Sequence, residues 1–110
     1  MGPSFSYEVE ESRDEANNPV TTIKCHGRLV SDTAGQLKEV VKPLIASGGG
    51  NRILIDLGAV EHLDSSGLGT LVGLKASAIN AGYCRLELVN LSPRIADLLR
   101  ITKLTHMFAS

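Results

Sequence analysis

An acid, two hydroxyls and two glycines fall within Leu63-Asp64-Ser65-Ser66-Gly67-Leu68-Gly69, just before an apolar run that opens Leu71-Val72. Such a turn supports three kinds of chemistry. A serine could attack a substrate, backbone N–H groups at a helix start could hold a phosphate, or an exposed side chain could be read by another protein. Spacing disfavours the first. A hydrolase elbow sets glycines two residues either side of its serine, whereas Ser65 has Leu63 and Gly67 there and Ser66 has Asp64 and Leu68. A dinucleotide loop fails as well, because Gly67-Leu68-Gly69 has no third glycine three residues on.

A purely structural reading is that Asp64, Ser65 or Ser66 caps a helix while Gly67 and Gly69 let it pack closely. That reading leaves a second hydroxyl and two interior glycines unexplained, each glycine costing about 1 kcal/mol relative to alanine in a helix. Their combination asks for a surface where backbone is approached by another molecule.

Other candidates carry less. Ser47-Gly48-Gly49-Gly50 ends a helix pattern rather than opening one, and no Lys-Ser or Lys-Thr pair follows, so it reads as a flexible connection and not a phosphate loop. His62 could ligate a metal, but His26 and His106 are too scattered to join it, and a surface or hydrogen-bonded histidine is the expectation. No cofactor and no metal are expected.

The elements that must position the stretch follow from periodicity. Phe5, Tyr7 and Val9 alternate with Ser6, Glu8 and Glu10, a strand with one wet face. Glu11 to Pro19 reads as a long, mobile loop closed by Asn17-Asn18-Pro19, and Val20 to Gly27 as the antiparallel partner strand. Leu37, Val40, Val41, Leu44 and Ile45 form a helix stripe that Ser31 or Asp32 could cap, with Pro43 expected to kink it or divide it in two. Arg52-Ile53-Leu54-Ile55-Asp56 is a short apolar run, expected as a central strand covered on both faces, and Leu57 to Leu63 as its connection to the site, anchored by Val60 and Leu63.

Leu68, Leu71, Val72, Ala76 and Ile79 give a second helical stripe ended by Asn80-Ala81-Gly82. Tyr83 to Val89 alternates again as a strand nearer an edge. Ser92 caps Pro93 at the start of a third stripe of Ile95, Leu98 and Leu99, and Leu104 to Ser110 keeps Met107 and Phe108 for docking. The class is α/β, a mixed sheet with helices packed on it.

One domain is expected from 110 residues, of which 43% are hydrophobic, enough for one core. With 11 basic residues against 12 acidic ones and no basic stripe, direct nucleic-acid partners and anionic membranes are not expected. The start Met1-Gly2-Pro3-Ser4-Phe5-Ser6 reads as no signal peptide, no apolar run is long enough to span a membrane, and residues 1–4 are expected to be disordered or appended. Cys25 and Cys84 lie in apolar, strand-like segments and are expected as buried free thiols of a cytoplasmic protein, a single disulfide being the alternative.

Asp64-Ser65-Ser66-Gly67-Leu68-Gly69, preceded by Ile53-Leu54-Ile55-Asp56-Leu57 and followed by a helix, resembles the STAS domain, in particular the bacterial anti-sigma factor antagonists. Gly27-Arg28-Leu29 opening the first helix, Leu91-Ser92-Pro93, Leu98-Leu99 and Thr102-Lys103-Leu104 extend the likeness along most of the chain. The resemblance implies a STAS fold with a four- to five-stranded mixed sheet over a single domain, residues 1–110. It implies a protein without catalytic activity.

It further implies that Ser65 is phosphorylated by a partner anti-sigma factor that is also a serine kinase. Asp64, Ser66, Gly67, Leu68 and Gly69, with Asp32 and Thr33 of the neighbouring loop, would shape the partner-binding site. The unphosphorylated protein would bind the anti-sigma factor and free the sigma factor. Phosphorylation would release it, and a PP2C-type phosphatase would reset it. Rival readings are a STAS scaffold or interaction subunit of a stress-sensing or lipid-transport complex without a phospho-switch, and weak nucleotide binding, to which STAS domains have been linked. The chain departs from the family at Val30, where an acid is usual and Asp32 stands two residues on, and at Lys103, where glycine is common. Family members also often continue past the position of Phe108 into a further helix.

Overall fold

A computed structural model describes residues 5–47, 52–82 and 85–108. The alternating N-terminal segment forms β1 (Phe5–Arg13), which pairs antiparallel with β2 (Pro19–Leu29) from Phe5↔Gly27 to Arg13↔Pro19. The connection expected as a long mobile loop is a short tied turn. Asp14 Oδ1 accepts the N–H groups of Ala16 and Asn18 at 2.9 Å, and Asn17 takes a left-handed φ of 66°. The strand continues through Glu11-Ser12-Arg13 because Thr21 and Val20 lie opposite as β-branched partners. On its outer face Glu10 meets Lys24 at 2.6 Å and Glu8 meets His26 at 3.0 Å.

β2 runs parallel to β3 (Arg52–Leu63), which in turn runs parallel to β4 (Arg85–Val89), so the four-stranded sheet has the order β1-β2-β3-β4. Two sequence expectations fail here for one reason. Leu57–Leu63 is not a connection but the second half of β3, and Gly27-Arg28-Leu29 does not open a helix but ends β2. Each supplies the other's partners, with Gly27↔Val60, Arg28↔His62 and Leu29↔Leu63 in register beyond irregularities near Lys24 and Gly27. Gly27 itself has a φ of 90°, which glycine alone adopts freely.

The parallel pairs are joined by α1 (Ala34–Ala46) and α2 (Ser65–Ala81), and α3 (Pro93–Ile101) and α4 (Thr105–Phe108) follow β4. One face of the sheet carries the core. Ile23, Cys25, Ile53, Ile55, Leu57 and Leu86 are buried against Leu37, Val41 and Ile45 of α1 and Leu71, Leu74 and Ala78 of α2. The alternate residues Thr22, Leu54, Asp56 and Glu87 are only half-buried, so β3 is covered fully on one face and not on both. Arg52 Nε donates to Glu87 Oε2 at 2.5 Å on that half-open face, and this bond holds the Glu87 carboxyl below its usual range.

Pro43 sits exposed in α1, which continues through it as one 13-residue helix. The proline sits in the last turn and a half, where the hydrogen bond it cannot donate and its clash with the carbonyl four residues back are borne without dividing the helix. In α2 the buried stripe is Leu68, Leu71, Leu74, Lys75 and Ala78, while Ile79, expected inside, is 59% exposed. Lys75 is buried because its Nζ donates to the Leu86 carbonyl at 2.8 Å. Ser92 caps α3 with Pro93 at its first position, Gly82 ends α2 in the left-handed region, and Phe108 packs on the core, all as the sequence suggests. The expectations for residues 1–4, the Gly48–Gly50 connection and Cys84 lie outside the described residues. Cys25 is a buried free thiol, pushed up to about 12 by burial.

Candidate functional site

β3 passes into α2 through a single residue, Asp64, whose backbone is extended at φ −102° and ψ −175°. An extended residue with a short acceptor side chain is what a helix start requires, because the first N–H groups have no partner within the helix. Asp64 Oδ1 accepts the Gly67 N–H at 2.8 Å, and Oδ2 accepts the Ser31 N–H of the β2–α1 turn at 3.1 Å. The Asp64 N–H in turn donates to the Leu29 carbonyl at 3.4 Å. Hydrogen bonds from Gly67 first, then Ser31 and Ser66, hold the Asp64 carboxyl below its usual range against the opposing effect of burial. One carboxylate thus caps the helix and ties two turns together.

Because Asp64 does the capping, Ser65 and Ser66 do not. Both are exposed, and neither hydroxyl makes a hydrogen bond among the described residues. The glycines divide sharply in their roles. A Cβ on Gly67 would stand 2.1 Å from the Leu29 carbonyl oxygen and 2.8 Å from Leu63 Cδ1, so only glycine lets the helix start this close to the end of β2. A Cβ on Gly69 would meet nothing within 4 Å, and Gly73 one turn later is equally open. The close-packing explanation therefore holds for Gly67 and fails for Gly69.

The β2–α1 turn is built the opposite way. Neither Ser31 nor Asp32 caps α1. Thr33 occupies the N-cap position without a side-chain cap bond, and is 2% exposed. Its hydroxyl donates to the Arg28 carbonyl at 2.6 Å and accepts the Val30 N–H at 3.0 Å, fastening the turn internally. Val30, where an acid was expected by resemblance, is half-buried, and its carbonyl accepts the N–H groups of Thr33 and Ala34. The turn's carboxylate is exposed Asp32. It lines a depression of about 400 Å³ with Ser31, Asp64, His62, Arg28 and Arg94.

The Ser31–Asp64 bond brings the two turns that carry the sequence-selected residues together, and the residues differ in access. Ser65, Ser66, Gly69 and Asp32 are exposed, Asp64 is half-buried, and Thr33, Gly67 and Leu68 are buried. The sequence assigns no site role to Arg28, read only within Gly27-Arg28-Leu29, or to Arg94. Arg28 lies two residues before Val30 at the end of β2 and Arg94 follows Pro93 at the start of α3, and only the fold joins them. His62 is exposed, and no group of three or more metal-ligating side chains forms among the described residues. Among those residues no helix is long and apolar enough to cross a membrane.

Comparison with known proteins gives a consistent set of likenesses. The model of the family described as STAS domain matches residues 12–110. The anti-sigma-B factor antagonist of Staphylococcus aureus is 35% identical over 85 residues, 77% of this chain and 77% of that protein. Among solved structures, an anti-sigma factor antagonist from Mycobacterium paratuberculosis superposes with a TM-score of 0.74 at 24% identity, over 96% of this chain and 83% of that one. The Bacillus cell fate determinant SpoIIAA in its phosphorylated form gives a TM-score of 0.70 at 20% identity, over 93% and 87%. At those identities the two structures speak for the fold.

Proposed function

The chain belongs to the STAS domain family, among its anti-sigma factor antagonists, and from that premise we propose that it is a cytoplasmic, non-catalytic phospho-switch, a single domain over residues 1–110 whose acceptor is Ser65. Unphosphorylated, it binds an anti-sigma factor that is also a serine kinase and so frees a sigma factor. Phosphorylated on Ser65, it lets go until a PP2C-type phosphatase removes the phosphate.

The observation that carries this reading is the division of labour at the start of α2. Asp64 supplies the cap, so the Ser65 hydroxyl is exposed and uncommitted at the first position of the helix. A phosphate there carries about −1.5 to −2 charge and is tolerated in the free domain, since a helix N-terminus favours an anion. Across an interface it is not tolerated beside an acid. Two unit charges about 6 Å apart at an effective dielectric near 20 repel by roughly 3 kcal/mol, about a hundredfold in affinity. The open backbone at Gly69 further supports a partner that approaches this helix closely. Asp64, Gly67, Leu68 and Thr33 would hold the surface in shape, and Ser66, Gly69 and Asp32 would touch the partner.

Incubation with the cognate anti-sigma factor and ATP, followed by peptide mass spectrometry, tests the reading. Phosphate on Ser65 and none on the Ser65→Ala variant is the expected outcome. Phosphate elsewhere, or persisting in the variant, overturns it.

A further inference from the structure

We propose that the partner contact extends beyond Ser65 into a groove along α3, and that this groove takes an apolar side chain flanked by carboxylates from the anti-sigma factor. The proposal rests on the reading above and names the chemistry of the surface that meets it. Its basis is an unpartnered helix face continuous with the site. The depression beside Asp64 shares Leu63 and Arg94 with a second hollow of about 490 Å³, whose remaining walls are Asp97, Leu98 and Ile101. Asp64, the residue next to Ser65, lines the first depression, so the groove adjoins the start of α2.

α3 uses Ile95 and Leu99 to reach the core. Arg94, Leu98 and Ile101 recur at the same helical spacing on another face, where Arg94 and Ile101 are exposed and Leu98 is half-buried. Ile101 is 71% exposed, more than Tyr7, Val9 or Ile79, the other exposed large apolar residues described. An isolated exposed isoleucine would mean little. This one lines a hollow with half-buried Leu63 and Leu98.

Charge selects the occupant. The ion pairs among the described residues are Lys24–Glu10, His26–Glu8, Arg52–Glu87 and Arg100–Asp97. Arg28 and Arg94 belong to none and make no side-chain hydrogen bond there. Of the three carboxylates that line the groove, Asp64 is held by backbone N–H groups and Asp97 is paired with Arg100, while exposed Asp32 makes no ion pair among the described residues, so two guanidiniums stand against a single unpaired acid. Two free guanidiniums beside an apolar hollow fit carboxylates placed around an apolar side chain, a pattern in which arginine and the apolar anchor dominate binding. The same carboxylates are the charges that a phosphate on Ser65 would repel. A second copy of this chain fits less well, since it would bring arginine against arginine.

The test measures affinity of the unphosphorylated chain for its purified cognate anti-sigma factor by calorimetry, with light scattering on the chain alone. Ile101→Asp should weaken binding by about thirtyfold or more and Arg94→Glu by about tenfold or more, while Ile79→Asp on α2 changes it less than about twofold. Thermal melts check that the variants fold. Ile101→Asp and Arg94→Glu both within twofold of wild type, with phosphorylation still releasing the chain, overturn the groove and leave the switch standing. Wild-type chain that neither binds nor is phosphorylated overturns both. A concentration-dependent dimer abolished by Ile101→Asp assigns the face to a second copy and overturns the proposal.

Discussion

The two turns that meet at Asp64 solve the same problem with opposite polarity. At the β2–α1 turn a hydroxyl faces inward, where Thr33 is consumed by the Arg28 carbonyl and the Val30 N–H. At the β3–α2 turn a carboxylate takes the structural bonds, and the hydroxyls of Ser65 and Ser66 face out unspent. A serine can be offered to another protein only if some other group closes the helix. The difference teaches that the residue marking a site and the residues building it need not be the same.

The most severe way to break this arrangement is Gly67→Ala. A Cβ placed 2.1 Å from the Leu29 oxygen forces backbone apart, and we expect a loss above about 3 kcal/mol in urea unfolding. The open Gly69 supplies the contrast, for Gly69→Ala should gain about 1 kcal/mol in the same experiment and weaken partner binding. Equal losses at both glycines would erase the distinction between them.

Next in size is Thr33→Val, which keeps the volume and leaves the Val30 N–H and Arg28 carbonyl of a part-buried turn without their partner. A loss of about 1–3 kcal/mol is expected, against little change for Ser65→Ala. Calorimetric melts that rank the two substitutions the other way would refute the inward and outward assignment.

The smallest effect is a pH dependence. The folded Asp64 carboxyl lies below its ordinary value of 3.8, so its contribution is fully present above that value and is lost as pH falls through the folded one. Asp64→Asn should therefore be less stable than wild type at neutral pH, with the gap closing below about pH 4. A gap that stays constant down to acid pH would mean the charge on Asp64 is immaterial to the tie between the turns.

Much of the architecture was legible locally, and what failed was decided by distant partners. Ser92-Pro93 and Gly82 mark their helix ends through caps that need no tertiary information. Leu57–Leu63 did not read as strand, because Gly58, Glu61 and His62 interrupt the apolar pattern. Its pairing with Gly27–Leu29 is set by a segment more than thirty residues away. In α2 the many small residues blur the apolar stripe, so Ile79 is expected inside though it is exposed, and the burial of Lys75 has no sequence signal because it depends on the distant Leu86 carbonyl. Lys103 was marked where glycine is common, and its φ of 62° gives the reason, since that left-handed conformation suits a residue without a Cβ.

At the site the capping signature and the exposed serines were readable, as was the STAS likeness. The separation of Gly67 from Gly69 was not, because it depends on where the Leu29 carbonyl falls.

Strand order along the sheet is the same as strand order along the chain. For a polypeptide emerging from a ribosome this means that every new strand is added to the edge left by the one before, and none has to be wedged between two already paired. The tie between the turns uses only residues up to Gly67, so its last component is synthesised before any of β4, α3 or α4. The switch can be framed early, while the arginine and isoleucine of α3 arrive last.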